Sequence, residues 1–149
     1  MEWGNFLAWI GTLALVVGGG IGAMIWAYVG SGSTVTLFSD PILFTPESPP
    51  EGQKNRLRER FDKGVEAFRM QKYRQAKEQF LQVVRQGTDW PEAYHNLGLA
   101  FGNLRQIDDA VASLVQASEY YGQQDRGDAI ALIKQHLQTL KAYKEEQQQ

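Results

Sequence analysis

The chain has 149 residues, with 15 Lys+Arg against 17 Asp+Glu, no cysteine and 43% hydrophobic residues. That length fits one ordinary domain with an appendage and excludes two full enzymatic domains. The lack of cysteine excludes a disulfide framework, a thiolate zinc site and a cysteine nucleophile. A net charge of −2 argues against a protein that coats nucleic acid, which needs clustered excess cations. Charge is unevenly placed. All Lys and Arg lie at or beyond Lys54, so residues 1–53 hold none.

From Phe6 to Val29 there are 24 residues without a charge. At a helical rise of 1.5 Å they reach roughly 36 Å, enough to cross a hydrocarbon core of about 30 Å with some tilt. Trp3 and Trp9 at one end, and Trp26 and Tyr28 at the other, suit interfacial belts. A signal peptide fits poorly, because there is no basic n-region, no clean cleavage site, and too long an apolar stretch. Residues 1–30 are therefore expected to form an uncleaved single-pass anchor. Small residues fall in rows at four-residue spacing: Ala14, Gly18 and Gly22, with Gly19 and Ala23 beside them. Such rows let helices approach closely in lipid, so the anchor is expected to dock on another membrane helix. The first basic cluster, Lys54 to Arg60, lies C-terminal to the span. That leans the larger domain to the cytoplasmic or stromal side of a bacterial plasma membrane or thylakoid.

Residues 31–47 carry Gly, Ser, Thr and Pro without helical period and read as a linker. Val35, Leu37, Phe38, Ile42, Leu43 and Phe44 make it greasier than a solvated linker requires. Two readings fit equally: the stretch packs on the domain or membrane interface, or it lies along a partner's surface.

Helical signals fill residues 48–149. Ser48-Pro49-Pro50-Glu51 reads as a capping box with prolines in the first turn. Gly87 and Gly122 stand where left-handed stops are expected, and Asp89 with Glu92 restarts a helix. Ala129, Leu132, Ile133, His136, Leu137, Leu140 and Tyr143 recur at helical spacing, as in a solvating end helix. Shifting residues 57–90 by 34 onto 91–124 pairs Gly64 with Gly98, Ala76 with Ala110, Phe80 with Leu114, Val83 with Ala117, and Gln71 with Arg105. The second copy, with Tyr94, Leu97, Gly98, Phe101, Ala110, Leu114 and Ala117, resembles the tetratricopeptide repeat. The first copy is degenerate: Arg60 and Lys63 stand where that family places an aromatic residue and a leucine. The expected fold is all-α, a single transmembrane helix plus a short solenoid of two repeats and a capping helix. Two repeats are few, so the domain is expected to be marginal in stability.

The resemblance implies a concave face lined by the first helix of each repeat, where family members hold peptides or partner segments. Carried over by position, it falls on Arg58, Phe61, Val65, Phe68 and Arg69, then Glu92, His95, Leu99, Gly102 and Asn103. Phe61, Val65, Phe68 and Leu99 would form an apolar floor suited to an amphipathic helix or extended peptide. The alternative is that the linker or end helix fills that floor. The clamp by which some members grip a carboxylate terminus is not favoured, since Phe61 and Val65 replace its Lys and Asn, although Asn96 and Arg126 match the remainder.

Residues 54–85 carry ten Lys/Arg against four Asp/Glu, and residues 86–149 five against nine. The basic end follows the linker, so a solvated face and attraction to anionic lipid or an acidic partner are both open readings. Catalysis has little support. His95 and His136 are 41 residues apart with no metalloprotease spacing, and there is no nucleophile elbow or phosphate-cradling loop. His136 falls on the apolar face of the end helix, where a packed histidine is expected. Asp108 and Asp109 suit the first turn of a helix. The chain is expected to be no enzyme and to need no cofactor or metal. The architecture is similar to small membrane-anchored tetratricopeptide assembly factors of photosynthetic membranes, including those serving photosystem I. That similarity implies an interaction module that assembles or stabilises an integral membrane complex. A permanent subunit, or a secretion accessory with its repeats in the periplasm, would share these features.

Overall fold

Five helices follow one another in a computed structural model that describes residues 36–43, 54–87 and 89–148. They are α1 (Lys54–Arg69), α2 (Tyr73–Val84), α3 (Pro91–Asn103), α4 (Ile107–Gln123) and α5 (Gly127–Glu146). No strand occurs among the described residues, so the described fold is all-α. The anchor residues Ala14, Gly18, Gly19, Gly22 and Ala23, and the capping box at Ser48, lie outside the described residues. Among those described, no helix is long and apolar enough to cross a membrane.

Each helix buries one stripe. In α1 it runs through Leu57, Phe61, Gly64, Val65 and Phe68, and in α2 through Ala76, Phe80 and Val83. Spacings of three and four residues keep such side chains on one face. Consecutive helices pack together, and α3 also touches both α1 and α5. As the middle helix, α3 is covered on several sides, which explains its long buried run from Pro91 to Ala93 and His95 to Ala100.

The 34-residue register has a steric basis. A Cβ added to Gly64 would meet the Phe80 ring at 2.6 Å, and one added to Gly98 would meet Leu114 Cγ at 2.7 Å. Both hairpins therefore cross where one helix lacks a side chain and the other supplies a large one. Ala76 and Ala110, the paired small residues on the second helices, are fully buried. At Gly98 the added atom would also lie 3.1 Å from the backbone oxygen of Ala110, which cannot rotate away. Gly98→Val is expected to lower stability by about 2 kcal/mol through overpacking, read as a lower urea midpoint by circular dichroism. An unchanged midpoint would refute the close crossing.

The three short turns share one design. The N–H groups of Lys72, Gln106 and Arg126 bond to the carbonyls five residues earlier, of Ala67, Phe101 and Tyr121. This is the six-to-one bond that closes a helix C-terminus. The residue before each donor, Gln71, Arg105 or Asp125, has φ between 54° and 64°, where a side chain costs energy and glycine is usual. Gly87 is left-handed as expected, with φ 68°. Gly122 is not the stop: α4 runs on to Gln123, and Asp125 makes the left-handed turn. The expected Asp89–Glu92 capping box is also absent. Helix α3 starts after Trp90 without a side-chain cap, with Pro91 in its first turn. Trp90 is held instead by its ring, fully buried and stacked on Phe61 at 4.7 Å.

The end helix packs as its period demands, burying Ala129, Ile133 and Leu140. Arg105 lies over the Tyr143 ring at 4.6 Å, and Lys144 reaches Asp108 at 3.1 Å. Both contacts tie α5 back to the start of α4. The helices and residues 36–43 belong to one compact unit, Thr36–Gln149. The domain thus takes in part of the stretch read from sequence as linker, and its boundary moves forward from residue 48.

Candidate functional site

Residues 36–43 have no helix or strand of their own, so their backbone groups need partners elsewhere. Two asparagines on α3 supply them. Asn103 Oδ1 accepts from the backbone N–H of Leu37 at 2.8 Å and of Phe38 at 2.9 Å, and its Nδ2 donates to the Phe38 carbonyl at 2.9 Å. Asn96 repeats the pattern at Ile42: Oδ1 accepts from its N–H, and Nδ2 donates to its carbonyl, both at 2.7 Å. A carboxamide carries a donor and an acceptor side by side, as a peptide group does, so each asparagine mimics a neighbouring strand. Asn96 and Asn103 are seven residues apart, about 10.5 Å along the helix. The four residues from Phe38 to Ile42 reach at most about 13–14 Å. The segment therefore crosses α3 in an extended form, running opposite to the helix direction.

One side chain anchors it. Phe38 is buried, with its ring edge-on to His136 of α5 at 4.9 Å. A Cβ on Gly102 would lie 2.6 Å from the Phe38 ring and 3.1 Å from Leu140. The absence of a side chain at Gly102 makes the seat between α3 and α5. Pro41 is also buried, whereas Ser39, Asp40 and Leu43 face outward.

Beneath the seat lies a histidine pair. His95 Nε2 and His136 Nδ1 are 2.9 Å apart, and His95 has no exposed surface. The other ring nitrogen of His95, Nδ1, is buried without a partner. Buried N–H groups are left unpaired more rarely than buried acceptors, which favours a bare lone pair at Nδ1 and donation from His95 Nε2 to His136 Nδ1. Burial, then the neighbouring His136, pushes the His95 pKa down to about 3. Burial also lowers that of His136. Tyr121 packs edge-on to His95 at 5.9 Å. Its hydroxyl pKa is raised first by burial and then by the Glu92 carboxylate. Both imidazoles are thus neutral packing elements at neutral pH. No group of three or more His, Asp or Glu residues that could hold a metal occurs among the described residues.

Of the residues expected on the concave face, Glu92 is buried in the first turn of α3, and the others separate into three sets. Gly102 and Asn103 meet the segment directly, and His95 supports it through His136. Arg58 and Arg69 are exposed on α1. Phe61, Val65, Phe68 and Leu99 do not form an open floor: all four are buried in the core, Phe61 against Trp90 and Phe80, and Phe68 against Tyr73. A stripe at three- and four-residue spacing serves a sister helix as well as a groove, and here Phe61 and Phe68 turn to Phe80 and Tyr73 of α2. Asn96 was legible as part of a clamp pattern, but its bonding partner is Ile42 rather than a carboxylate. Trp90 gave no periodic signal, because it precedes its helix. No family profile, curated protein or solved structure matches the chain.

Proposed function

We propose that this chain is a membrane-anchored protein–protein interaction module of tetratricopeptide type, which assembles or stabilises an integral membrane complex of the photosystem kind. The observation that carries the reading is the paired-amide capture of a stretched backbone by Asn96 and Asn103 on α3. That geometry reads peptide groups rather than side chains, as a surface for binding protein segments must. The uncharged stretch from Phe6 to Val29 supports an anchor, and its rows of small residues support docking against other membrane helices.

Affinity purification of the full chain from mild detergent, with identification of co-eluting chains, tests the reading. An assembly factor is recovered with incomplete forms of one membrane complex, and a permanent subunit with the mature form. Recovery of the chain alone would refute both. Gly18→Leu with Gly22→Leu is expected to reduce co-purification at least tenfold while leaving membrane insertion intact. Undiminished recovery would rule out a docked anchor.

A further inference from the structure

Every polar contact that Asn96 and Asn103 make with residues 36–43 falls on backbone N–H or C=O groups. Any other stretched segment offers the same groups at the same spacing. Side-chain selectivity rests on Phe38 in its seat over Gly102, with Pro41 buried and Ile42 half-buried, while Leu43 is largely exposed. The aromatic cluster of Phe61, Trp90 and Phe80 is built from helix residues and their connecting loop, and the segment joins the same buried core at one edge, through Phe38. Residues 36–43 are thus held on α3 chiefly by two asparagine amides and one ring, with ten residues, 44–53, between the segment and α1. A short connection of that kind holds a ligand at an effective concentration in roughly the millimolar range, so an untethered segment of similar affinity competes poorly until the tethered one is weakened.

Building on the reading of this groove as a protein-binding surface, we propose that residues 36–43 are a built-in competitor. The groove's ligand in trans is a stretched polypeptide segment with an aromatic residue and, four residues later, an aliphatic one. It binds antiparallel to α3 after expelling Phe38. Specificity lies in the aromatic seat between Gly102, His136 and Leu140. Affinity for the rest of the ligand comes from the two asparagine amides.

The test needs only the full chain in detergent micelles and a fluorescent synthetic peptide with the sequence of residues 36–43. Fluorescence polarisation is expected to show weak binding to the wild-type chain and at least tenfold tighter binding to Phe38→Asp, whose own segment cannot seat. Adding Asn103→Ala to Phe38→Asp is expected to remove that gain. Equal affinity for wild type and Phe38→Asp would overturn the proposal. A wild-type dimer that Phe38→Asp converts to monomer would overturn it too, by showing that the segment docks between copies. If Phe38→Asp loses helicity, amide exchange on the wild type decides. Excess peptide is expected to speed exchange at Phe38 and Ile42, and unchanged rates at saturating peptide would refute expulsion. Because no membrane complex enters these measurements, they can succeed where affinity purification fails, and fail where it succeeds.

Discussion

Phe61→Ala is expected to lower the unfolding free energy by about 3–5 kcal/mol, the usual range for deleting a fully buried aromatic side chain. Phe61 has no exposed surface, stacks on Trp90 at 4.7 Å and meets Phe80 edge-on at 5.6 Å. Each aromatic pair adds about 0.5–1.5 kcal/mol beyond area burial. Trp90 immediately precedes α3, and Phe80 fills the crossing under Gly64. The cavity would therefore open where the two hairpins join, a place that cannot collapse without moving a helix. Against a total stability of about 5–15 kcal/mol for an ordinary domain, much of the fold is at risk. Urea unfolding of the full chain in detergent, followed by circular dichroism, measures the loss. Val111→Ala is the control, since Val111 is 37% exposed on α4 and surface changes stay within about 0.5 kcal/mol. If the two variants unfolded at the same urea concentration, Phe61 would be groove floor after all.

That result bears on which parts of the molecule can be read from residues alone. The hairpin register was legible because Gly64 and Gly98 answer a steric demand: Phe80 and Leu114 leave no room for a Cβ. Such a demand acts on one position and repeats at 34. The end helix was legible for a similar local reason, its apolar period. The direction of a stripe was not. Phe61, Val65, Phe68 and Leu99 look alike whether they face a groove or a neighbouring helix, and only the arrangement of all five helices decides. The occupant of the groove was visible only as surplus grease in Leu37, Phe38 and Ile42. Its contacts join residues 54 to 66 apart, and a stretched segment has no period to announce them. Asn103 was singled out by its position on α3, but its partner is the backbone of Leu37 and Phe38, which no side-chain pattern encodes. The histidine pair spans 41 residues and forms because α3 and α5 pack on each other.

The same pair makes stability fall between pH 7 and pH 5. His95 ionises near its ordinary value of 6.5 in the unfolded chain and at about 3 in the fold. Between those values the unfolded state binds more protons, so stability rises with pH. The contribution is complete above about pH 7 and is lost as pH falls through 6.5 toward 3. At pH 5 the deficit from His95 alone is about 2 kcal/mol, at 1.36 kcal/mol per pH unit. His136, also lowered by burial, adds to it in the same direction. The main cause is burial, which penalises a charged imidazole, followed by the neighbouring His136; an added proton on His95 goes to its bare, buried Nδ1, which has no acceptor. The surrounding Phe38 and Tyr121 rings offer that charge little solvation. The lowered carboxyls of Glu59 and Asp128 titrate below this window, which leaves pH 7 to 5 to the imidazoles. Urea midpoints are expected to drop steadily from pH 7.5 to 5 and to stay level from 7.5 to 8.5. A flat profile down to pH 5 would mean that the histidines titrate freely, and the packed pair under Phe38 would have to be abandoned.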